Sequence, residues 1–205
     1  MNAPEPVKTA LPEIGQAFEG GFFAGQIMIN GIKHGLIVAP KAEGELNSAW
    51  HDDDELDVTG ATSYDDGLTN TNAMAESGSP LAKHIRALTI GGQDDWYLPA
   101  QDELEIIYRN LKPTTEENSQ YGRSGINLSA VPPTRPYTAE IPTKTLAEAF
   151  QKGGSEAFAD NWYWSSTQHA AYAGCAWFQL FDNGHQYRNL KYSQLRARAV
   201  RRFAI

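Results

Sequence analysis

The chain has 205 residues, 41% of them hydrophobic and 20% charged, with a formal net charge of -8 and a pI of about 5.1. That length suffices for one well-buried domain, and the acidic balance argues against nucleic acid, which needs a basic stripe to neutralise phosphate. The single cysteine, Cys175, rules out an intrachain disulfide, and no apolar run approaches membrane-spanning length, so no membrane insertion is expected.

The opening "MNAPEPVKTALPEIG" is neither basic nor apolar enough for a secretory signal, so synthesis in a cytoplasm is expected. Residues 1–17 carry three prolines and read as an extended arm. One domain is expected over residues 18–205. Within "GQIMINGIKHGLIVAP", Asn30-Gly31 separates two β-rich runs and marks a hairpin, since both residues tolerate positive φ. Residues 43–72 are acidic and polar and read as a surface loop. "HDDDELD" within it lacks the spacing of a calcium loop.

A helix is expected from Asn72 to Leu88, broken at Gly78-Ser79-Pro80, with Ser79 as N-cap and Pro80 in the first turn. Leu81, Ile85 and Leu88 then share an apolar face, and His84 lies beside it. A second helix starts near Ala100, after Pro99 forces Leu98 to be extended. Leu104, Ile107, Tyr108 and Leu111 form its buried face. Asp102, Glu103 and Glu105 read as early-turn charges favoured by the helix dipole. Residues 112–160 form a long Pro-, Ser- and Gly-rich insertion, with one short helix at 143–153 ended by Gly153-Gly154. From Trp162 onward the pattern is β: "WYWSST", "CAWFQLF", "HQYRNLKY" and "RARAVRRFAI" are strands, with Asn183-Gly184 as a second hairpin turn. Helices and strands are segregated along the chain, so the fold class is α+β.

Ser165, Ser166, His169 and Asp182 supply the residue types of a hydrolase, without the Gly-x-Ser-x-Gly elbow that would present a nucleophile. Histidine and cysteine spacing gives no zinc site, and no dinucleotide or phosphate loop is present. No enzyme activity, cofactor or metal is expected. Residues 161–194 instead combine tyrosine and tryptophan with amide and imidazole groups, the composition of a recognition surface. The candidate ligand-binding residues are Asn161, Trp162, Tyr163, Gln168, His169, Tyr172, Asn183, His185, Tyr187, Asn189 and Tyr192. Trp164, Trp177, Phe178 and Phe181 read as core. A two-residue turn at Asn183-Gly184 pairs Leu180 with Tyr187 and Phe178 with Asn189, and puts Trp177, Gln179 and Phe181 on one face with Gln186 and Arg188.

"DDWYLPAQDELEIIY" (94–108), "YWSST" (163–167), "AWFQLFDNG" (176–184) and "RAVR" (198–201) occur in the order that resembles the DUF1566 family, also described as the Lcl C-terminal domain. "GLIVAPKAEGE" and "YDDGLTNT" resemble its longer phage and prophage form. The resemblance implies a C-type-lectin-like fold, with an N-terminal hairpin and two helices packed on a twisted antiparallel sheet. It also implies a ligand-binding module, of the kind found in phage tail receptor-binding proteins and in the variable proteins of diversity-generating retroelements. The partner would be a host cell-surface glycan or protein. Residues 1–17 would attach the domain to phage tail subunits, and a homo-oligomer is left open. The alternative is a structural virion component whose aromatic sheet packs on another subunit. The Glu-Pro-Asn and Trp-Asn-Asp motifs of calcium-dependent lectins are missing, since "EIP" stands at 140–142 and "WYW" at 162–164. The paired cysteines of formylglycine-generating enzymes cannot be supplied by Cys175 alone.

Overall fold

The computed structural model describes residues 11–53 and 55–205. Residues 1–10 of the expected arm and Asp54 of the acidic loop lie outside the described residues. In chain order the elements are β1 (Ala17–Phe18), β2 (Gly21–Ile29), β3 (Ile32–Val38), α1 (Lys41–Gly44), β4 (Glu45–Ser48), α2 (Gly67–Ser77), α3 (Pro80–Arg86), α4 (Gln101–Leu111), β5 (Trp162–Gln168), β6 (Cys175–Leu180), β7 (Gln186–Leu190), β8 (Leu195–Arg198) and β9 (Val200–Ala204). The α+β class expected from the sequence is what forms. One sheet runs β1-β2-β3-β9 and the other β4-β8-β5-β6-β7.

The first hairpin closes on Ile29 opposite Ile32, with Asn30 at φ 50° and Gly31 at φ 77°. Two successive left-handed residues match the right-handed twist of the flanking strands. Between Phe23 and Gly25 the register shifts. A Cβ at Gly25 would lie 2.6 Å from Asn110 Nδ2 and 2.7 Å from Ile106 Cγ2, so the missing side chain is what lets α4 approach β2. Asn110 then donates to the Ala24 carbonyl at 2.8 Å. Ahead of β1, Gly15 N–H donates to Phe23 O at 2.8 Å, which ties residues preceding Phe18 to β2.

The helix expected at Asn72–Leu88 is two helices, and the first begins earlier, where the Asp66 carboxylate accepts the Thr69 N–H at 3.0 Å. Gly78 at φ 111° ends α2, and Ser79 caps α3 with Pro80 in its first turn. Leu81 and Ile85 are buried, and His84 is exposed. The acidic segment is partly structured too, as it holds α1 and β4.

α4 buries Leu104, Ile107, Tyr108 and Leu111 as expected, but Asp102, Glu103 and Glu105 are also buried. They are fastening points more than helix-end charges. Asp102 takes Arg123 at 2.6 Å and Ser129 Oγ at 3.1 Å. Glu105 takes Asn127 Nδ2 at 2.8 Å, Tyr137 Oη at 2.9 Å and Arg109 Nε at 2.9 Å. Each carboxylate satisfies a burial cost that an unpaired charge could not meet, and together they pull the insertion onto α4. Lys112 does the same from the end of α4: its buried ammonium donates to Asn118 Oδ1 at 2.7 Å, to Pro142 O at 3.3 Å and to Glu116 O. The short helix expected at 143–153 is only a single 3₁₀ turn, Glu148–Phe150.

The C-terminal segment corrects a second expectation. "RARAVRRFAI" is two strands in different sheets. β8 pairs antiparallel with β4 and meets β5 in parallel at Arg196 and Tyr163, and β9 pairs with β3. The chain crosses between sheets at buried Ala199, whose N–H donates to Gly44 O and whose carbonyl accepts Ala39 N–H. The basic run is consumed by carboxylates: Arg196 on Glu45, Arg198 on Glu156, Arg201 on Asp95 and Glu19, and Arg202 on Asp66. Two apolar cores result. One joins α4, the first hairpin, Phe158 and Phe181; the other joins α2, α3, Trp50, Trp96, Trp164 and Phe178.

Candidate functional site

The "YWSST" strand is the post on which the site is hung. All five residues are buried, and their polar atoms are committed to neighbours. Ser165 Oγ donates to Trp177 O at 2.9 Å, Ser166 N–H to Pro99 O at 2.8 Å, and Thr167 Oγ1 to Ser63 O at 2.8 Å while accepting the Gln101 N–H at 3.0 Å. Trp50 and Trp164 donate their indole N–H groups to Ser165 O and Ser48 O. Among the described residues, neither serine hydroxyl bonds to a histidine, and no three His, Cys, Asp or Glu side chains gather in a way that could hold a metal ion. Nor is any helix among them long and apolar enough to cross a membrane.

β6 and β7 pair in a register two residues tighter than the sequence suggests, with Phe178 opposite Tyr187 and Trp177 opposite Arg188. The turn is longer than two residues because Phe181 is drawn inward. Its ring stacks on Phe158 at 4.1 Å and meets Tyr108 edge-on at 5.6 Å. Gly184, at φ 74°, lies against the Tyr108 ring, where a Cβ would collide. A shift of two preserves the alternation of faces, so Trp177, Gln179, Gln186 and Arg188 do share one face. The inner part of that face is a buried amide chain. Gln101 Nε2 donates to Gln186 Oε1 at 3.2 Å, and Gln179 Nε2 donates to Gly184 O at 3.2 Å.

On this support lies a continuous ribbon of rings and one cation. Tyr121 meets His185 at 5.8 Å, and His185 stacks on Tyr187 at 5.9 Å. Arg188 sits 5.1 Å from the Tyr187 ring centre and 4.5 Å from that of Tyr172. Tyr172 reaches His169 at 5.0 Å, and His169 stacks on Trp177 at 5.0 Å. Burial, and after it the Arg188 charge, lowers the His169 imidazole below its ordinary value, so the ring that stacks on Trp177 is neutral near pH 7. Tyr172 is 55% exposed, Tyr187 41%, Tyr192 53% and Trp162 41%, and Trp162 lies flat on Phe178 at 4.9 Å. Large rings held by their neighbours lose little further entropy on contact, which suits recognition.

The family model of the Lcl C-terminal domain matches residues 46–201, well over half of the chain. The chain belongs to the Lcl C-terminal domain family. No curated protein matches it. In this member the Trp96–Pro99 segment, "YWSST" and "AWFQLFDNG" meet in one place: Pro99 and Gln101 on β5, Ser165 on Trp177, and Gly184 on Tyr108. The family's motif residues thus build the support more than the exposed ribbon.

Two of the residues expected to bind ligand are parts of that support. Tyr163 is fully buried: its hydroxyl donates to Glu45 Oε2 at 3.0 Å, and its ring packs on Phe181 and Phe158. Gln168 is 3% exposed, accepts from Lys191 Nζ at 2.6 Å and Val58 N–H at 2.8 Å, and donates to Asp57 Oδ1 at 2.6 Å. Neither can meet a ligand at the surface. Asn161, Asn183 and Asn189 cap backbone, through Trp162 N–H, His185 N–H and Leu190 N–H respectively. His169, Tyr172, His185 and Tyr187 belong to the ribbon, whereas Trp162 and Tyr192 are exposed outside it. Sequence reasoning missed Tyr121, which arrives from the insertion, and Arg188. The strand alternation placed Arg188 on the same face as Trp177 and could have drawn attention to it.

Proposed function

We propose that the chain is a non-enzymatic recognition module that binds a host-surface glycan or protein through the ribbon from Tyr121 to Trp177, within a phage tail-associated receptor-binding protein of C-type-lectin-like fold. The observation that carries this reading is the unbroken contact Tyr121–His185–Tyr187–Arg188–Tyr172–His169, which runs along one edge of the sheet. Exposed aromatics and arginine on a rigid frame are the composition of interaction hot spots. The buried, backbone-bonded Ser165 supports a binding role over hydrolysis. Exposed Leu128 and Leu146 on the insertion favour a second reading, a virion component that packs on another subunit.

The test replaces Tyr172, Tyr187 and Tyr192 together by Ala and measures adsorption of the labelled protein to a panel of bacterial strains. Circular dichroism and the melting temperature should stay close to wild type, because all three side chains are largely outside the cores. Adsorption should fall at least tenfold. Retained adsorption sinks the ribbon as the binding surface, and loss of assembly into particles with unchanged adsorption favours the second reading.

A further inference from the structure

β7 is the outermost strand of its sheet, paired on one side only. Antiparallel alternation decides which of its backbone groups are free. Leu180 N–H donates to His185 O, and Lys191 N–H donates to Gly174 O, so residues 185, 187, 189 and 191 turn their backbone groups toward β6. Gln186, Arg188 and Leu190 therefore turn theirs outward. Leu190 N–H is covered by Asn189 Oδ1 at 2.9 Å. Among the described residues nothing bonds to the outward N–H and carbonyl of Gln186 and Arg188, so the open edge is a short stretch centred on them.

The same residue carries the second observation. The other arginines near the chain's end are each held by a carboxylate. Arg188 is held by two tyrosine faces instead, at 4.5 and 5.1 Å, and among the described residues no acceptor takes its guanidinium N–H groups. Ring faces fix the plane of a guanidinium without using its donors. What remains is a flat, pre-oriented fork matched to a carboxylate, on a chain that is otherwise strongly acidic.

We propose that β7 is a docking edge for an extended segment of a protein partner, which adds as a strand beside Gln186–Arg188 and sets an Asp or Glu carboxylate on the Arg188 guanidinium. The inference rests on the recognition reading above and narrows its ligand to protein. Strand addition supplies affinity through main-chain hydrogen bonds and specificity through the side chains that alternate along the edge. Tyr172 and Tyr187 act as positioning residues for Arg188, while Asn189 closes the edge at Leu190 and limits uncontrolled pairing.

The experiment titrates the full ¹⁵N-labelled chain with the decapeptide (Thr-Glu)5, with (Thr-Gln)5, with (Thr-Glu)5 N-methylated at alternate residues, and with sialyllactose as an acidic sugar. The acidic peptide alone should move the Gln186 and Arg188 amide resonances and slow their hydrogen exchange at least tenfold. Raising the salt should weaken the effect, Arg188→Ala should lower affinity at least tenfold, and Arg188→Lys should lower it severalfold. Equal binding of (Thr-Gln)5 overturns the carboxylate contact, and equal binding of the N-methylated peptide overturns strand addition. Protection by sialyllactose alone, or by no probe, overturns the docking edge. Adsorption separates the two readings: if the triple tyrosine variant loses it while Arg188→Ala keeps it, the recognition surface stands and the docking edge falls.

Discussion

Glu103 offers the sharpest test of how this domain is held together. It is fully buried, and three donors converge on it: Tyr97 Oη at 2.6 Å, Ala100 N–H at 2.8 Å and Gly67 N–H at 3.1 Å. It therefore joins the starts of α2 and α4. Burial pushes its carboxyl up from 4.5 to about 7, against the pull of those hydrogen bonds and of Arg202. A folded value above the unfolded one means that the folded state holds the proton more tightly. The resulting stability is fully present below 4.5 and is lost as pH rises through about 7. At roughly 1.4 kcal/mol per pH unit, the contribution is on the order of 3 kcal/mol. Glu103→Gln removes the titration and leaves a single accepting oxygen for the three donors, where the protonated carboxyl still offers two, so the variant should be the less stable protein at acid pH. Asp102, raised by burial to about 6, acts in the same direction, and His34 and His169, lowered by burial, act in the opposite one; all three are common to both proteins. Urea unfolding at several pH values between 5 and 8 checks the difference. The advantage of wild type over Glu103→Gln should shrink steadily as pH rises across that range. A gap that stays constant or widens refutes the reasoning.

Phe181→Ala removes a ring stacked at 4.1 Å on Phe158 and should cost about 3–5 kcal/mol in denaturant unfolding. Gly184→Ala forces a Cβ against Tyr108 at positive φ, so about 1–2 kcal/mol of backbone strain and a displaced ring should lower the melting temperature. Arg198→Ala leaves the Glu156 carboxylate, at 2.5 Å, without its cation and with only the Lys41 N–H donating to it; about 3–5 kcal/mol should be lost by urea titration. Randomising Tyr172, Tyr187 and Tyr192 should leave most library members folded by protease resistance, whereas randomising Gln179, Phe181 and Gln186 should leave few.

The sequence made local geometry legible where neighbours in the chain decide it. Asn30-Gly31 forms its turn because both residues accept left-handed backbone, and Pro80 starts α3 because its lost N–H is unneeded there. It misled where distant residues decide. The α4 carboxylates looked like solvated helix-end charges because their partners, Arg123, Asn127, Ser129 and Tyr137, lie 21–32 positions away in a stretch with no periodic pattern. Asn183-Gly184 suggested a two-residue turn, but burial of Phe181 outweighs the turn's own preference and moves the register by two. Tyr163 and Gln168 carried recognition chemistry in their residue types and were taken by the interior, where Glu45 and Lys191 needed partners.

That last substitution explains how the exposed ribbon can be independent of the fold. Along β5 to β7 the polar side chains divide by where their hydrogen bonds go. Ser165, Thr167, Gln168, Gln179 and Gln186 spend theirs on the interior, and replacing one leaves a buried group unpaired. Tyr172, Tyr187 and Tyr192 spend none: the first two offer ring faces to Arg188, and Tyr192 is exposed. Exposed positions of this kind usually change stability by less than about 0.5 kcal/mol. The energetic burden of the sheet therefore falls on one set of residues and the chemistry of its exposed surface on another. Side chains on a surface built this way can change without reopening the question of whether the domain folds.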